Sequence, residues 1–141
     1  VTDAFIDTNV LLYAASTAPE EAAKAKVACT LIESSRFAVS VQILQEFYVN
    51  GTGKLARKIP TDRLELVLAL LRQRRVEPLT MELFEEALRI RARFQLSYWD
   101  AAVVAAAKRT GAKLIYSEDL AHGQFYDGVQ VVNPFLGVPT S

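Results

Sequence analysis

Three short apolar runs, Phe5-Ile6, Phe37-Ala38-Val39 and Leu114-Ile115-Tyr116, each break off at a small polar residue, and stretches with helical spacing separate them. This alternation constrains the fold more than any other property of the chain. Strands alternating with helices predict an α/β architecture with a mainly parallel central sheet flanked by helices. The first run, continued through Asp7-Thr8-Asn9 into Val10-Leu11-Leu12, reads as a buried strand passing into a loop or helix start. If that strand is central, Asp7 stands at its carboxyl end, the edge where open α/β sheets bind ligands. Asp, Thr and Asn are also good helix caps, so the stretch by itself weighs equally for capping and for chemistry.

Between the strands, Pro19 and Glu20-Glu21 suit the first turn of a helix to about Ser34, with Ala22, Ala25, Cys29 and Ile32 as inward candidates. Ser40 caps a helix carrying Ile43, Leu44, Phe47 and Tyr48, which ends at Asn50-Gly51-Thr52-Gly53. Thr61-Asp62 starts another, with Leu64, Val67, Leu68 and Leu71 at helical spacing. Val76-Glu77-Pro78-Leu79 is a short strand candidate weakened by its proline. Thr80 caps a helix with Leu83, Phe84, Ala87, Leu88 and Ile90 inward. Two helices around so short a strand suggest a helical lobe beside the sheet. Ser97 to Thr110 is the most apolar helix, closed by Gly111, and Val129 to Val132 is a fourth strand.

At 141 residues the chain is expected to form one domain, 1–141, with a sizeable core. Sixteen basic residues balance sixteen acidic ones, so any attraction to nucleic acid must come from local asymmetry. A single cysteine cannot form an internal disulfide, which suits a reducing cytoplasm. No signal peptide is visible, and the longest wholly apolar run, Ala101 to Ala107, is too short to span a bilayer. With one histidine and one cysteine, a Cys/His zinc site is excluded. A Ser-His-Asp triad would have to use His122, which reads as a solvated loop residue. No glycine-rich phosphate loop is present. Carboxylate chemistry remains.

Four acids stand out by position. Asp7 follows the first strand, Glu46 lies in the helix after the second, Asp100 in the first turn of the apolar helix, and Asp119 follows the third clear strand. A right-handed crossover could bring all four near one sheet edge. Each has a plainer explanation: Glu46 shares a helix face with Gln42, Gln45 and Val49 that solvent could cover; Ser97-Tyr98-Trp99-Asp100 has capping-box spacing; Asp119 could be a turn aspartate. Together they are costly, because at about 6 Å and an effective dielectric near 20 each pair repels by roughly 3 kcal/mol. Such a cluster requires a divalent cation, raised pKa values, or both. Oxygen ligands without thiolate or imidazole point to Mg²⁺ or Mn²⁺, which can activate water and neutralise a phosphodiester under attack.

These stretches carry a resemblance. Phe5-Ile6-Asp7-Thr8-Asn9, Ile43-Leu44-Gln45-Glu46-Phe47, Ser97-Tyr98-Trp99-Asp100-Ala101-Ala102 and Leu114-Ile115-Tyr116-Ser117-Glu118-Asp119-Leu120 resemble a PIN-domain protein, more narrowly a VapC-type toxin of a toxin–antitoxin pair. Val131-Val132-Asn133-Pro134-Phe135 is similar to the usual end of such chains. The resemblance implies a PIN-like fold and a metal-dependent endoribonuclease with Asp7, Glu46, Asp100 and Asp119 as the acidic, metal-binding and catalytic set. Thr8 and Asn9 would support Asp7, and Ser117 keeps the hydroxyl of the family's usual threonine. It also implies a cognate antitoxin and a homodimer. The role of Glu118 stays open.

The substrate side is read from charge. Lys54, Arg57 and Lys58, then Arg72, Arg74 and Arg75, then Arg89, Arg91 and Arg93 could form a phosphate-contacting rim for RNA, or solvated helix faces. Trp99 could stack a base, but its place on the apolar helix predicts a core residue. Two rival readings are a non-catalytic PIN-like RNA-binding or assembly module, whose sign would be a missing core acid, and a phosphoacceptor domain, which usually has adjacent acids after its first strand.

Overall fold

The computed structural model describes residues 2–53 and 59–139. The strands are β1 (Ala4–Ile6), β2 (Phe37–Ser40), β3 (Arg75–Glu77), β4 (Leu114–Tyr116), β5 (Phe125–Tyr126) and β6 (Val129–Val132). The helices are α1 (Thr8–Ala15), α2 (Ala22–Ser34), α3 (Val41–Thr52), α4 (Thr61–Leu71), α5 (Met81–Phe94) and α6 (Tyr98–Thr110). One sheet runs β3-β2-β1-β4-β6-β5, parallel throughout except for the β5–β6 pair.

The central place of β1 follows from its side chains. Phe5 and Ile6 point to opposite faces and both are fully buried, each contributing about 1.5–3 kcal/mol of apolar burial. Only a strand covered on both faces can hold them. Ala4 is in register with Phe37 on one side and Leu114 on the other. Helix α6 packs against β1, β2, β3, β4 and β6. Its run Ala101 to Ala107 is buried throughout, and its small side chains let the helix axis lie close to the sheet. Gly111, at φ 80°, closes it in the left-handed region.

The expected helical lobe is not what forms. Right-handed crossovers send the β1–β2 and β2–β3 connections over one face and the β3–β4 connection over the other. Accordingly α4 packs with α1 and α3, whereas α5 packs along α6. Between them β3 is a full edge strand, paired with β2 from Ala38↔Arg75 to Ser40↔Glu77. It ends before Pro78, which has no N–H to continue the ladder.

Other expectations shift by a residue or so. In α2 the buried positions are Ala28 and Ile32, with Ala22 exposed and Cys29 half-buried. In α5 Leu83, Ala87 and Ile90 are buried, while Phe84 and Leu88 stay about 40% exposed. Tyr48 on α3 is exposed as well. Helix α3 runs through Gly51 to Thr52, and a Cβ at Gly51 would stand 3.0 Å from Leu64 Cδ1. The glycine permits the close approach of α3 and α4.

Candidate functional site at the carboxyl edge of the sheet

At the end of β1, Asp7 extends the ladder by donating its N–H to Tyr116 O at 3.0 Å. It is also the N-cap of α1, with Oδ1 accepting from Thr8 N at 2.8 Å. Capping therefore accounts for one oxygen. The other, Oδ2, accepts from Ser117 Oγ at 2.7 Å, across the boundary between β1 and β4.

Ser117 is completely buried and organises the loop after β4. While donating to Asp7, its hydroxyl accepts from Asp119 N and Leu120 N at 3.1 and 3.2 Å. Asn9 fastens the same loop from α1: its Oδ1 accepts from Glu118 N at 3.0 Å, and its Nδ2 lies 3.2 Å from Asp119 Oδ2 and 3.4 Å from Asp7 Oδ2. Thr8 donates its hydroxyl to Glu46 Oε1 on α3 at 2.9 Å. Ser97 caps α6 by accepting from Asp100 N at 3.1 Å, so the capping spacing is real and sets Asp100 in the first helical turn. Thr8, Asn9 and Ser117 thus each touch a member of the acidic set.

Asp7, Glu46, Asp100 and Asp119 all line one pocket of about 170 Å³, with Thr8, Asn9 and Asn50 among its other walls. No lysine, arginine or histidine lines it among the described residues. Burial pushes the Asp7 carboxyl up to about 6; the Ser117 and Thr8 hydrogen bonds pull it down, and the charges of Asp119 and Glu46 push it up further. Glu118 is not in this wall. It accepts from Tyr13 Oη at 2.9 Å and pairs with Lys24 of α2 at 2.5 Å, holding the loop from behind.

In the positions they hold, no three acidic, histidine or cysteine side chains among the described residues stand close enough to enclose an ion. Glu46 is turned onto Thr8 and Asp119 onto Asn9. The donor set nevertheless fits a hard divalent cation: it is all oxygen, formally four-fold negative, and includes a buried carboxylate facing no cationic side chain among the described residues of its pocket. Both outer acids are on rotatable bonds.

Two expectations change. Trp99 is 62% exposed and belongs to the pocket wall, not to the core. It is the second residue of α6, where the helix projects past the sheet edge. Arg74, just before β3, and Arg75, its first residue, line a cleft with Arg36 at the amino edge, so they cannot rim this pocket. Arg93 is engaged with Asp127 at 2.7 Å, and Lys54, Arg57 and Lys58 lie outside the described residues. Asn50 was missed as a wall residue; it lies four positions after Glu46, on the same helix face, which was the available signal.

The PIN domain family model matches residues 4–127. No curated protein matches the sequence. Among solved structures, VapC20 of Mycobacterium tuberculosis, a sarcin–ricin loop cleaving toxin, superposes with a TM-score of 0.64 at 20% identity, covering 83% of this chain and 90% of that one. A toxin–antitoxin complex from Klebsiella pneumoniae gives 0.66 at 18% identity over 94% and 98% of the chains. FitAcB from Neisseria gonorrhoeae gives 0.62 at 18% identity over the same shares. At such identities these structures speak for the fold. The family match spans every one of the four acids, and the chain belongs to the PIN domain family.

Proposed function

We propose that the chain is a metal-dependent endoribonuclease, the toxin of a type II toxin–antitoxin pair, hydrolysing RNA phosphodiester bonds at the pocket of Asp7, Glu46, Asp100 and Asp119. The observation that carries this reading is a pocket lined by four carboxylates and, among the described residues, no cationic side chain, one of the acids being buried. A structural cluster would be paired internally; this one calls for a cation from solution.

Mg²⁺ or Mn²⁺ held by these acids would supply an activated water and offset charge on the phosphodiester. The chain's own residues do the remainder. Ser117 and Thr8 fix both Asp7 oxygens, so its carboxylate cannot swing. Asn9 sets the spacing between Asp7 and Asp119 with one amide. Thr8 holds Glu46 by its hydroxyl at the pocket wall, within reach of the same ion.

The toxin assignment draws on the VapC, FitAcB and toxin–antitoxin neighbours; with it go a cognate antitoxin, a homodimer and a cytoplasmic site of action. No described helix is long and apolar enough to cross a membrane. The test is cleavage of a mixed RNA panel with Mg²⁺, Mn²⁺ or EDTA, by wild type and by Asp100→Ala. Metal-dependent cleavage lost in the variant, with its circular dichroism unchanged, is the expected result. Cleavage by Asp100→Ala at the wild-type rate would remove the acid set from the mechanism.

A further inference from the structure

The acid pocket has a mouth that the four carboxylates do not explain. Trp99, 62% exposed, lines the pocket and also the cleft that opens from it along α3, where Gln42, Gln45, Glu46, Val49 and Asn50 share the wall. The indole is held in place: its ring meets Tyr98 edge-on at 5.1 Å, Tyr98 meets Phe84 at 5.8 Å, and its backbone carbonyl lies 3.5 Å from the Gln42 amide. A fixed aromatic face loses little freedom when something settles on it.

The cleft's one charged wall residue among those described is Glu46, at the end shared with the acid pocket. Away from that acid its chemistry is a flat π-face and Val49 flanked by neutral amides, which suits a flat neutral partner with hydrogen-bonding edges. Amide side chains read base edges, and aromatic rings stack unpaired bases.

We propose that Trp99 and the amides of Gln45 and Asn50 form a nucleobase subsite, stacking an unpaired base next to the phosphodiester in the acid pocket. The inference rests on the ribonuclease reading, but it can be tested apart from it. Trp99 is the only tryptophan in the chain, so its fluorescence reports the subsite directly.

Wild type in EDTA should be titrated with a short dye-labelled single-stranded RNA and with an abasic oligoribonucleotide of equal length and charge. Binding is followed by anisotropy and stacking by tryptophan emission. The base-bearing RNA should quench the emission in step with binding, and the abasic strand should not. Trp99→Ala should weaken RNA binding and raise KM roughly ten- to a hundredfold, Trp99→Phe should restore most of it, and kcat should change far less than KM. Binding of the RNA without quenching, or an unchanged KM in Trp99→Ala, overturns the subsite while leaving the nuclease in place. Quenching by RNA in a protein that cleaves nothing with any metal keeps the subsite and removes the nuclease. Neither binding nor cleavage removes both. If sedimentation shows that Trp99→Ala separates a dimer into monomers, the indole is an interface residue and the subsite is wrong.

Discussion

Two buried acids stand at the carboxyl edge of the same sheet, Asp7 after β1 and Glu77 at the end of β3, and they are treated in opposite ways. Glu77 is 7% exposed and faces two guanidinium groups, Arg75 at 3.4 Å and Arg109 at 3.4 Å. Asp7 is 8% exposed and receives only neutral donors, from Thr8, Ser117 and Asn9. Charge compensated within the chain belongs to architecture. Charge left for solvent to compensate, in a pocket shared with three more acids, marks a place where the molecule is incomplete without a ligand.

Substitution of each acid is the strongest way to break this comparison. Asp7→Ala should reduce RNA cleavage by about a thousandfold or more, the scale of removing an electrostatic contact to the reacting centre. Glu77→Ala should cleave at close to the wild-type rate once folded. Similar losses in both would erase the distinction. Next, Mn²⁺ should stabilise wild type and Glu77→Gln by about 2.7 kcal/mol at a hundredfold excess over the dissociation constant, raising both melting temperatures. Asp7→Asn should gain much less in the same thermal scans.

Amide substitution without metal separates the two acids by sign. The Asp7 carboxyl lies at about 6 in the folded protein against 3.8 as an isolated group. The unfolded chain therefore releases this proton first as pH rises, and wild-type stability falls through that window, by about 3 kcal/mol once both states are ionised. Asp7→Asn avoids this loss. Its amide cannot accept from both Thr8 N and Ser117 Oγ, which returns about 1 kcal/mol. Urea unfolding in EDTA should show the variant about 2 kcal/mol more stable than wild type near pH 8, the gap closing toward pH 4. Glu77→Gln should instead lose about 1 kcal/mol, since its two arginines can turn to water. Smaller still is Lys24→Met, which frees Glu118 from α2: a loss below about 1 kcal/mol is expected, with faster amide exchange at Glu118 and Asp119 by NMR as its sign.

The strand–cap–helix units were legible because local chemistry and tertiary structure agree there: Asp7, Ser40, Thr80 and Ser97 all accept cap bonds as their positions suggest. The places of α4 and α5 were not, because the face a helix covers depends on which way its crossover runs. Strand β5 was missed although Asp127-Gly128, at φ 51° and 87°, is the Asp-Gly turn of a two-residue hairpin; two residues are too few for periodicity to register. Trp99 misled for a related reason. The apolar character of α6 is an average over the helix, and its first turn extends past the sheet that buries the rest. Within the site, positions along the chain suggested which acids could meet, but not that Asp7 alone would be buried.

The sheet order has one more implication. The chain leaves β1 toward β2 and leaves β4 toward β6, so the two connections part in opposite directions and open a crevice at the top of the sheet between them. That opening is a property of the chain's path, present before any acid is placed in it. The four acids are tenants of a space they did not create, which is why their removal should leave a folded protein with the pocket intact.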